Sequence, residues 1–456
     1  MKRFPFLFRR ANNDERYSPT RKQKETMKVL VASWSWEPVG GDWTYIQNVI
    51  RLYESHGFEV IPFSTYLADK TTEPPHEYFV KAYDYKKLNN KKSILAGVKA
   101  AKNSIVSVEA MKNVDKILDD HDIAFAHLHN VHHWLTPAII WRLKKRGVPV
   151  LWSLHDYKII CPEGTLFSNG KICEKCKGGH FFQCTTNRCK KGSTLASLLA
   201  SLDATFYHGS GIYKKVDAYL CPSEFLLRKF GEFGFDQSRM HLSNLCYDIP
   251  VIDRFIENNP APSTSGAQGD YVLYVGRIER NKGIHTLIEA ISGTSIPLKI
   301  AGTGGAMEEL KKQVAEQGLD HVQFLGFQDK NSVFRLTMGA RCIVCPSEWY
   351  ENYPYAVIET LLFGKPVIGS RVGGIPELVL DGQTGLLHEM GNATDLREKI
   401  RTLWEKPELA ARLGQQARVH AESRVNFTRH WEILENIIEN LSFKYRKNPK
   451  KIPIQA

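Results

Sequence analysis

The stretch YVLYVGRIERNKGIHTLIEAI, residues 271–291, carries the fold in miniature. A short apolar run rich in β-branched residues stops at Gly276. A charged loop follows, and then apolar residues recur at helical spacing. This is a buried parallel strand, a turn and a helix. The same order repeats downstream, with strands predicted at PLKIAG (297–302), VQFLGF (322–327), RCIVCPS (341–347) and PVIGSR (366–371). It also repeats upstream, at KVLVASW (28–34), FEVIPFST (58–65), IAFAHLH (123–129), VPVLWSLH (148–155) and DAYLCPS (217–223). Helical segments separate the strands, including GDWTYIQNVIRLYESHG, which ends at Gly57. Strand–helix alternation requires parallel sheets covered by helices. The alternation breaks once, at ENNPAPSTSGAQGD (257–270), whose Pro, Ser, Gly and Asn read as a linker. The expected fold class is therefore α/β, with two Rossmann-like doubly wound domains facing across a cleft. The expected spans are a basic tail over 1–26, a first domain over 27–250, a linker over 251–270 and a second domain over 271–427. Residues 428–456 would form a closing helix, from about Thr428 to Phe443, and a second basic tail.

The length of 456 residues suits two domains. The net charge of +12 suggests nucleic acid until it is located. Residues 1–26 hold eight Lys/Arg against three Asp/Glu, and residues 442–456 hold five Lys/Arg and no acid, so the tails account for +10 of the +12. The body is nearly neutral, which argues against nucleic acid as a partner. Basic tails interleaved with Phe and Tyr suit an anionic membrane surface, or are solvated ends. No apolar run is long enough to span a bilayer. The start, MKRFPFLFRR, has too short an apolar centre for a signal peptide, so the expected location is cytoplasmic, peripheral on the inner face of the membrane.

Ligands of doubly wound sheets bind beyond the carboxyl ends of the strands. Arg277 and Lys282 fall in the loop after the strand at 271–276, before a helix starting near Gly283. A helix start with two cations suits a diphosphate; two solvated loop cations would look the same. Further on, EWYENYPYAVIE (348–359) spaces Glu351 and Glu359 eight residues apart. Pro354 favours the first turn of a helix, so the helix is expected just after Glu351, with the two acids about 12 Å apart. That is too far to share one proton or flank one bond, and suits two ends of one long ligand. In the first domain, Gly40 and Gly41 sit between strand and helix and permit close backbone approach. His155 and Asp156 stand at a strand's carboxyl end. His127, His129, His132 and His133 cluster in HLHNVHHW, as metal ligands, as the lining of a polar pocket or on the surface. Five of the nine cysteines crowd into 161–189, and Cys173 with Cys176 has the C-x2-C spacing of a chelate.

The ordered segments YVGRIERNKGIHTLIEAI, LKIAGTG, VQFLGF and CPSEWYENYPYAVIETLLFGKPVIGSRVGGIPELVLDGQTGLL resemble the donor domain of family 4 retaining glycosyltransferases, which have the GT-B fold. The resemblance is dense over about 270–420 and looser before. It implies that Gly276, Arg277, Lys282 and Gly283 form the diphosphate loop, that Glu359 holds the ribose and that Glu351 holds the donor sugar. The backbone around Asn352, Tyr353, Pro354 and Tyr355 would complete the sugar and phosphate contacts, with Gly41 near the transferred sugar. His155, Arg277, Lys282 and Glu351 become the expected catalytic group, with no cofactor required for catalysis. GTGG at 302–305 departs from the family's usual G-D/E-G. By the same resemblance, Cys161, Cys173, Cys176 and Cys189 would hold a structural zinc. The implied partners are a UDP-, GDP- or ADP-linked sugar donor and a glycan or lipid-linked glycan acceptor, with bacterial surface polysaccharide or glycolipid assembly as the setting. Two rival readings are a nucleotide-dependent oxidoreductase and a non-catalytic zinc-bearing binding protein. The first lacks the expected G-x-G-x-x-G/A after the first strand.

Overall fold

The computed structural model describes residues 26–37, 40–67, 74–82, 105–132, 134–260 and 269–446. Two six-stranded sheets, parallel throughout, organise it. The first contains β1 (Lys28–Ala32), β2 (Glu59–Phe63), β3 (Ile123–Leu128), β4 (Val150–Ser153), β5 (Ala218–Cys221) and β6 (Met240–Leu242), in the order β6-β5-β4-β3-β1-β2. The second contains β7 (Val272–Val275), β8 (Leu298–Ala301), β9 (Val322–Gly326), β10 (Cys342–Cys345), β11 (Val367–Ser370) and β12 (Gly385–His388), in the order β9-β8-β7-β10-β11-β12. Each order reverses once, between β1 and β3 and between β7 and β10. Such reversals leave a crevice at the strands' carboxyl ends.

Every strand expected from the sequence is present. Within the two large sheets the unforeseen strands are β6 and β12, edge strands of three and four residues. An edge strand pairs on one side only and shows a weaker apolar run. The boundary at 251–270 needs correction. Residues 251–258 belong to the helix Ile249–Asn258, which has Pro250 in its first turn and buries Ile252; residues 261–268 lie outside the described residues. The closing helix runs Phe427–Arg446 and returns to the first domain. There the Trp431 ring stacks on His56 at 3.7 Å between centroids. One apolar core joins Tyr45, Ile46 and Val49 of the first helix (Gly40–Ser55) to Tyr355, Val357 and Ile358 of the second domain and to Leu434 and Ile437 of the closing helix. The seam between domains is thus packed where it is deepest. No described helix is long and apolar enough to cross a membrane. Of the two basic tails, residues 1–25 and 447–456 lie outside the described residues, and 442–446 continue the closing helix.

Candidate active site

At the second reversal, the loops after β7 and β10 are pinned together. Gly283 has φ +66°, and a Cβ there would stand 1.9 Å from the Pro346 carbonyl oxygen. Only glycine fits. The Glu348 amide donates to the Asn281 carbonyl at 2.8 Å. Gly283 also opens the helix Ile284–Ile291, as the sequence implied. The clamp brings Lys282 Nζ to 2.6 Å from Glu351 Oε1, an oxygen that also accepts from Ser347 Oγ at 2.6 Å. Burial alone would raise the Glu351 carboxyl; the Lys282 charge and the two hydrogen bonds outweigh it and hold the carboxyl below its ordinary range. Lys282 also lies over the Trp349 ring, 4.8 Å from its centroid. Arg277 extends exposed from the same loop, whose carbonyl at Arg277 accepts from Tyr274 OH at 2.7 Å. Gly276, at φ +154°, and the carbonyls of Gly276 and Ile278 would clash with side chains at 302 and 304, so GTGG is close-packed against the Arg277 loop.

The two acids are not helical neighbours. The helix begins at Tyr355, with Pro354 as its extended N-cap, so Glu351 precedes it and the helical spacing assumed for the pair does not hold. The reason is a contact from elsewhere in the chain. Gly374 donates to the Glu351 carbonyl at 2.7 Å, and a Cβ on Gly374 would meet the Asn352 carbonyl at 1.8 Å. This packing keeps residues 351–353 outside the helix, which waits for the extended Pro354. Glu359 lies inside the helix, is buried, and pairs with Lys330, a residue with no recognisable motif around it. Arg277, Lys282 and Glu351 therefore gather at one reversal, and Glu359 hangs from the helix that starts beside them. Tyr353 and Tyr355 turn their side chains into the core, with Tyr355 OH donating to Cys246 O at 2.9 Å. Their backbone, with the free amides of a helix's first turn, is what remains for a ligand.

The first domain meets this helix start. A Cβ on Gly41 would stand 3.1 Å from the Tyr355 ring. Asn352 Nδ2 donates to the His155 carbonyl at 2.5 Å, which ties β4's carboxyl end to the second domain. His155 Nε2 lies 3.0 Å from His129 Nδ1, and its Nδ1 lies 3.8 Å from Asp42. Burial pushes both imidazoles down, with Asp42 partly restoring His155. His127 is buried between Tyr53 OH and Ser153 Oγ, each at 2.8 Å. The surface reading of this cluster is corrected: His127 is buried because β3 is a central strand covered on both faces, and His129 and His132, in the loop just beyond it, are buried as well. His133 lies outside the described residues. Asp156 is also enclosed, and burial raises its carboxyl to about 6.

The cysteine segment is tightly wound. Phe167–Ser168 and Lys171–Ile172 form a hairpin whose turn, Asn169-Gly170, has both φ values positive. Cys176, Cys184 and Cys189 pack in one small core with Phe181, Ala200 and Ala204. Glu174, inside the C-x2-C, accepts from Lys229 Nζ at 2.8 Å and from Tyr350 OH of the second domain at 2.9 Å. Among the described residues, no group of three or more His, Cys, Asp or Glu stands ready to hold a metal ion. An open crevice of about 400 Å³ runs beside this contact, lined by Ile172, Phe225 and Arg228 on one side and by Tyr350, Arg371 and Gly373 on the other.

Comparison with known proteins agrees with this architecture. Residues 255–420 match the model for glycosyl transferases group 1, and residues 39–248 match that for glycosyltransferase family 4. An uncharacterized glycosyltransferase of Methanocaldococcus jannaschii is 23% identical over 86% of this chain and 92% of its own length. A D-rhamnosyltransferase of Pseudomonas aeruginosa is 34% identical, over 32% of this chain and 39% of its own length. The structure of Anabaena HepE in complex with UDP and glucose superposes with a TM-score of 0.61 at 19% identity, covering 91% of this chain and all of that one. With both domains matched in order, the chain belongs to the group 1 glycosyltransferases and has their GT-B fold.

Proposed function

We propose that the protein transfers a sugar from a nucleoside diphosphate donor to an acceptor hydroxyl with retention of configuration, in the assembly of a surface polysaccharide or glycolipid. The observation that carries the reading is the convergence of Lys282, Glu351 and Ser347 beside exposed Arg277, at the reversal of the second sheet. In this reading the donor diphosphate takes up Arg277, shares Lys282 with Glu351 and faces the helix start at Tyr355. Glu359 accepts from the ribose. Glu351 and the backbone of 352–355 face the sugar, with Gly41 and His155 closing over it. The acceptor oxygen bonds to the anomeric carbon on the face that the phosphate leaves. The carbon–phosphate-oxygen bond breaks, and the acceptor proton passes to the departing phosphate. Arg277 and Lys282 stabilise the charge that grows there.

Support for the setting comes from the relatives. They include a lipopolysaccharide core glycosyltransferase of Rhizobium meliloti, 24% identical over 45% of this chain, and an O-antigen mannosyltransferase of Escherichia coli, 28% identical over 33%. We also propose that the basic tails contact the inner face of an anionic membrane. We further propose that a zinc ion, drawing together Cys161, Cys173, Cys176 and Cys189, fixes the loop that carries Glu174. The decisive experiment is a thermal-shift screen against UDP-, GDP- and ADP-sugars, followed by transfer assays with the stabilising donor. Lys282→Ala is expected to lower turnover about 10²- to 10³-fold with the fold retained, and to lower the melting temperature as well, since the buried Glu351 carboxylate loses its partner. Turnover equal to the wild type would refute the assignment.

A further inference from the structure

The helix Thr194–Gly209, which packs on the cysteine segment, is turned inside out. It buries Ser197, Ala200, Ser201, Ala204 and Tyr207. Ser197 Oγ accepts from the Lys190 amide at 2.9 Å, and Ser201 Oγ donates to the Phe181 carbonyl at 2.9 Å. Ala200 and Ala204 rest on Cys176, Phe181 and Cys184. The small residues are needed because the cysteine segment lies close against them. The large apolar residues face outward: Leu195 is 68% exposed, Leu202 41% and Phe206 43%. With half-buried Leu199 they follow i, i+4, i+7, i+11, within about a sixth of the helix circumference. Phe182, on the adjoining turn, is 51% exposed.

The surroundings of this stripe have one sign of charge. Arg188 and Lys191 precede the helix and Lys214 and Lys215 follow it, all exposed. Between residues 187 and 215 the single acid is Asp203, and it turns inward toward Lys158, at 3.9 Å. An exposed leucine–phenylalanine stripe with cations at both ends and no outward acid matches a bilayer surface of anionic lipid, with the apolar side chains entering the headgroup–acyl boundary and the cations at the phosphates. We propose that the helix 194–209 is a membrane-docking face, lying in the plane of an anionic bilayer through Leu195, Leu199, Leu202 and Phe206. This goes beyond the proposed sugar transfer and does not depend on it. It places the anchoring surface on the folded body, against the loop that reaches the domain seam through Glu174.

The full chain would be sedimented with vesicles of phosphatidylcholine, alone and with about one third phosphatidylglycerol. The wild type is expected to bind the anionic vesicles. Leu202→Glu/Phe206→Glu is expected to lower that partitioning tenfold or more, and Lys214→Glu/Lys215→Glu to lower it severalfold, each with an unchanged melting temperature. The proposal is overturned if the wild type ignores anionic vesicles, or if the folded apolar variant binds them as the wild type does. It is overturned equally if that variant converts a dimer to a monomer without affecting vesicle binding, since the face would then belong to a second copy. Unchanged binding with a lowered melting temperature would show that the stripe packs within the chain and would reject the membrane.

Discussion

Lys282 and Glu351 are 69 positions apart, and the sequence gives no sign that their side chains meet. It assigns them to opposite parts of one donor. The structure joins them, because Gly283 lets the loop after β7 press against the Pro346 carbonyl. That contact yields a test at the same scale. Gly283→Ala must leave a left-handed φ and also displace a carbonyl, whereas a Cβ added at Gly57, at φ +80°, would meet nothing within 4 Å. The Gly57→Ala variant is expected to lose about 1 kcal/mol, for the backbone conformation alone. Gly283→Ala is expected to lose distinctly more in urea unfolding, and to weaken nucleotide-sugar binding as well. Equal losses would show that the loop clamp is slack. The residue types of this site were legible as a motif. Lys330, the partner of Glu359, was not, because a lone lysine at a helix start is indistinguishable from a solvated one.

Among the elements, helices carry the contacts between domains. The helix Glu224–Glu232 has Ser223 as its N-cap, accepting from Leu226 N at 3.1 Å. Its first two amides instead donate to Glu377 of the second domain, each at 2.8 Å. A carboxylate from one domain thus caps a helix of the other, where the positive end of the helix favours it. Glu377→Ala is expected to cost about 1 kcal/mol or more and to loosen the seam, seen as faster amide exchange at Glu224 and Phe225. Glu377→Gln would retain part of the capping. The cysteine segment gives a second test. Metal analysis of the full chain purified with zinc is expected to find an equimolar content, and chelation to lower the melting temperature. A zinc-free chain with an unchanged melting temperature would leave a knot of thiols held by packing alone. In this segment the Asn169-Gly170 hairpin went unforeseen, although both residues tolerate positive φ. The mutual placement of five cysteines could not be read either.

Over the whole molecule, several imidazoles are sealed at the junction of both domains and the closing helix. Tyr45 OH lies 3.2 Å from both Ser153 Oγ and His430 Nε2, and His430 Nδ1 is 3.0 Å from Ser243 Oγ. Burial pushes His127, His129 and His155 down, and His430 to about 4. A histidine whose pKa is lower folded than unfolded stabilises the fold above its unfolded value near 6.5, and that contribution is lost as pH falls toward the folded value. For His430 the window runs from about 6.5 down to about 4 and is worth on the order of 3 kcal/mol. Asp156 and Asp203, both raised to about 6 by burial, work in the opposite sense over the lower part of the same window. His430→Gln is therefore expected to be less stable than the wild type at pH 7 and to lose less on going to pH 5, by urea unfolding. Parallel losses would mean that His430 does not titrate on unfolding. By itself the sequence determined the alternation of strand and helix and the two domains, because periodicity and glycine are local properties, and it singled out the cation loop and the two acids only through a family resemblance. Only the tertiary structure decided that Lys282 grips Glu351, that residues 351–353 stay out of the helix, that the histidines are sealed in and that a helix shows its leucines outward. Each of these depends on what another part of the chain brings within a few ångströms, and no local pattern records that.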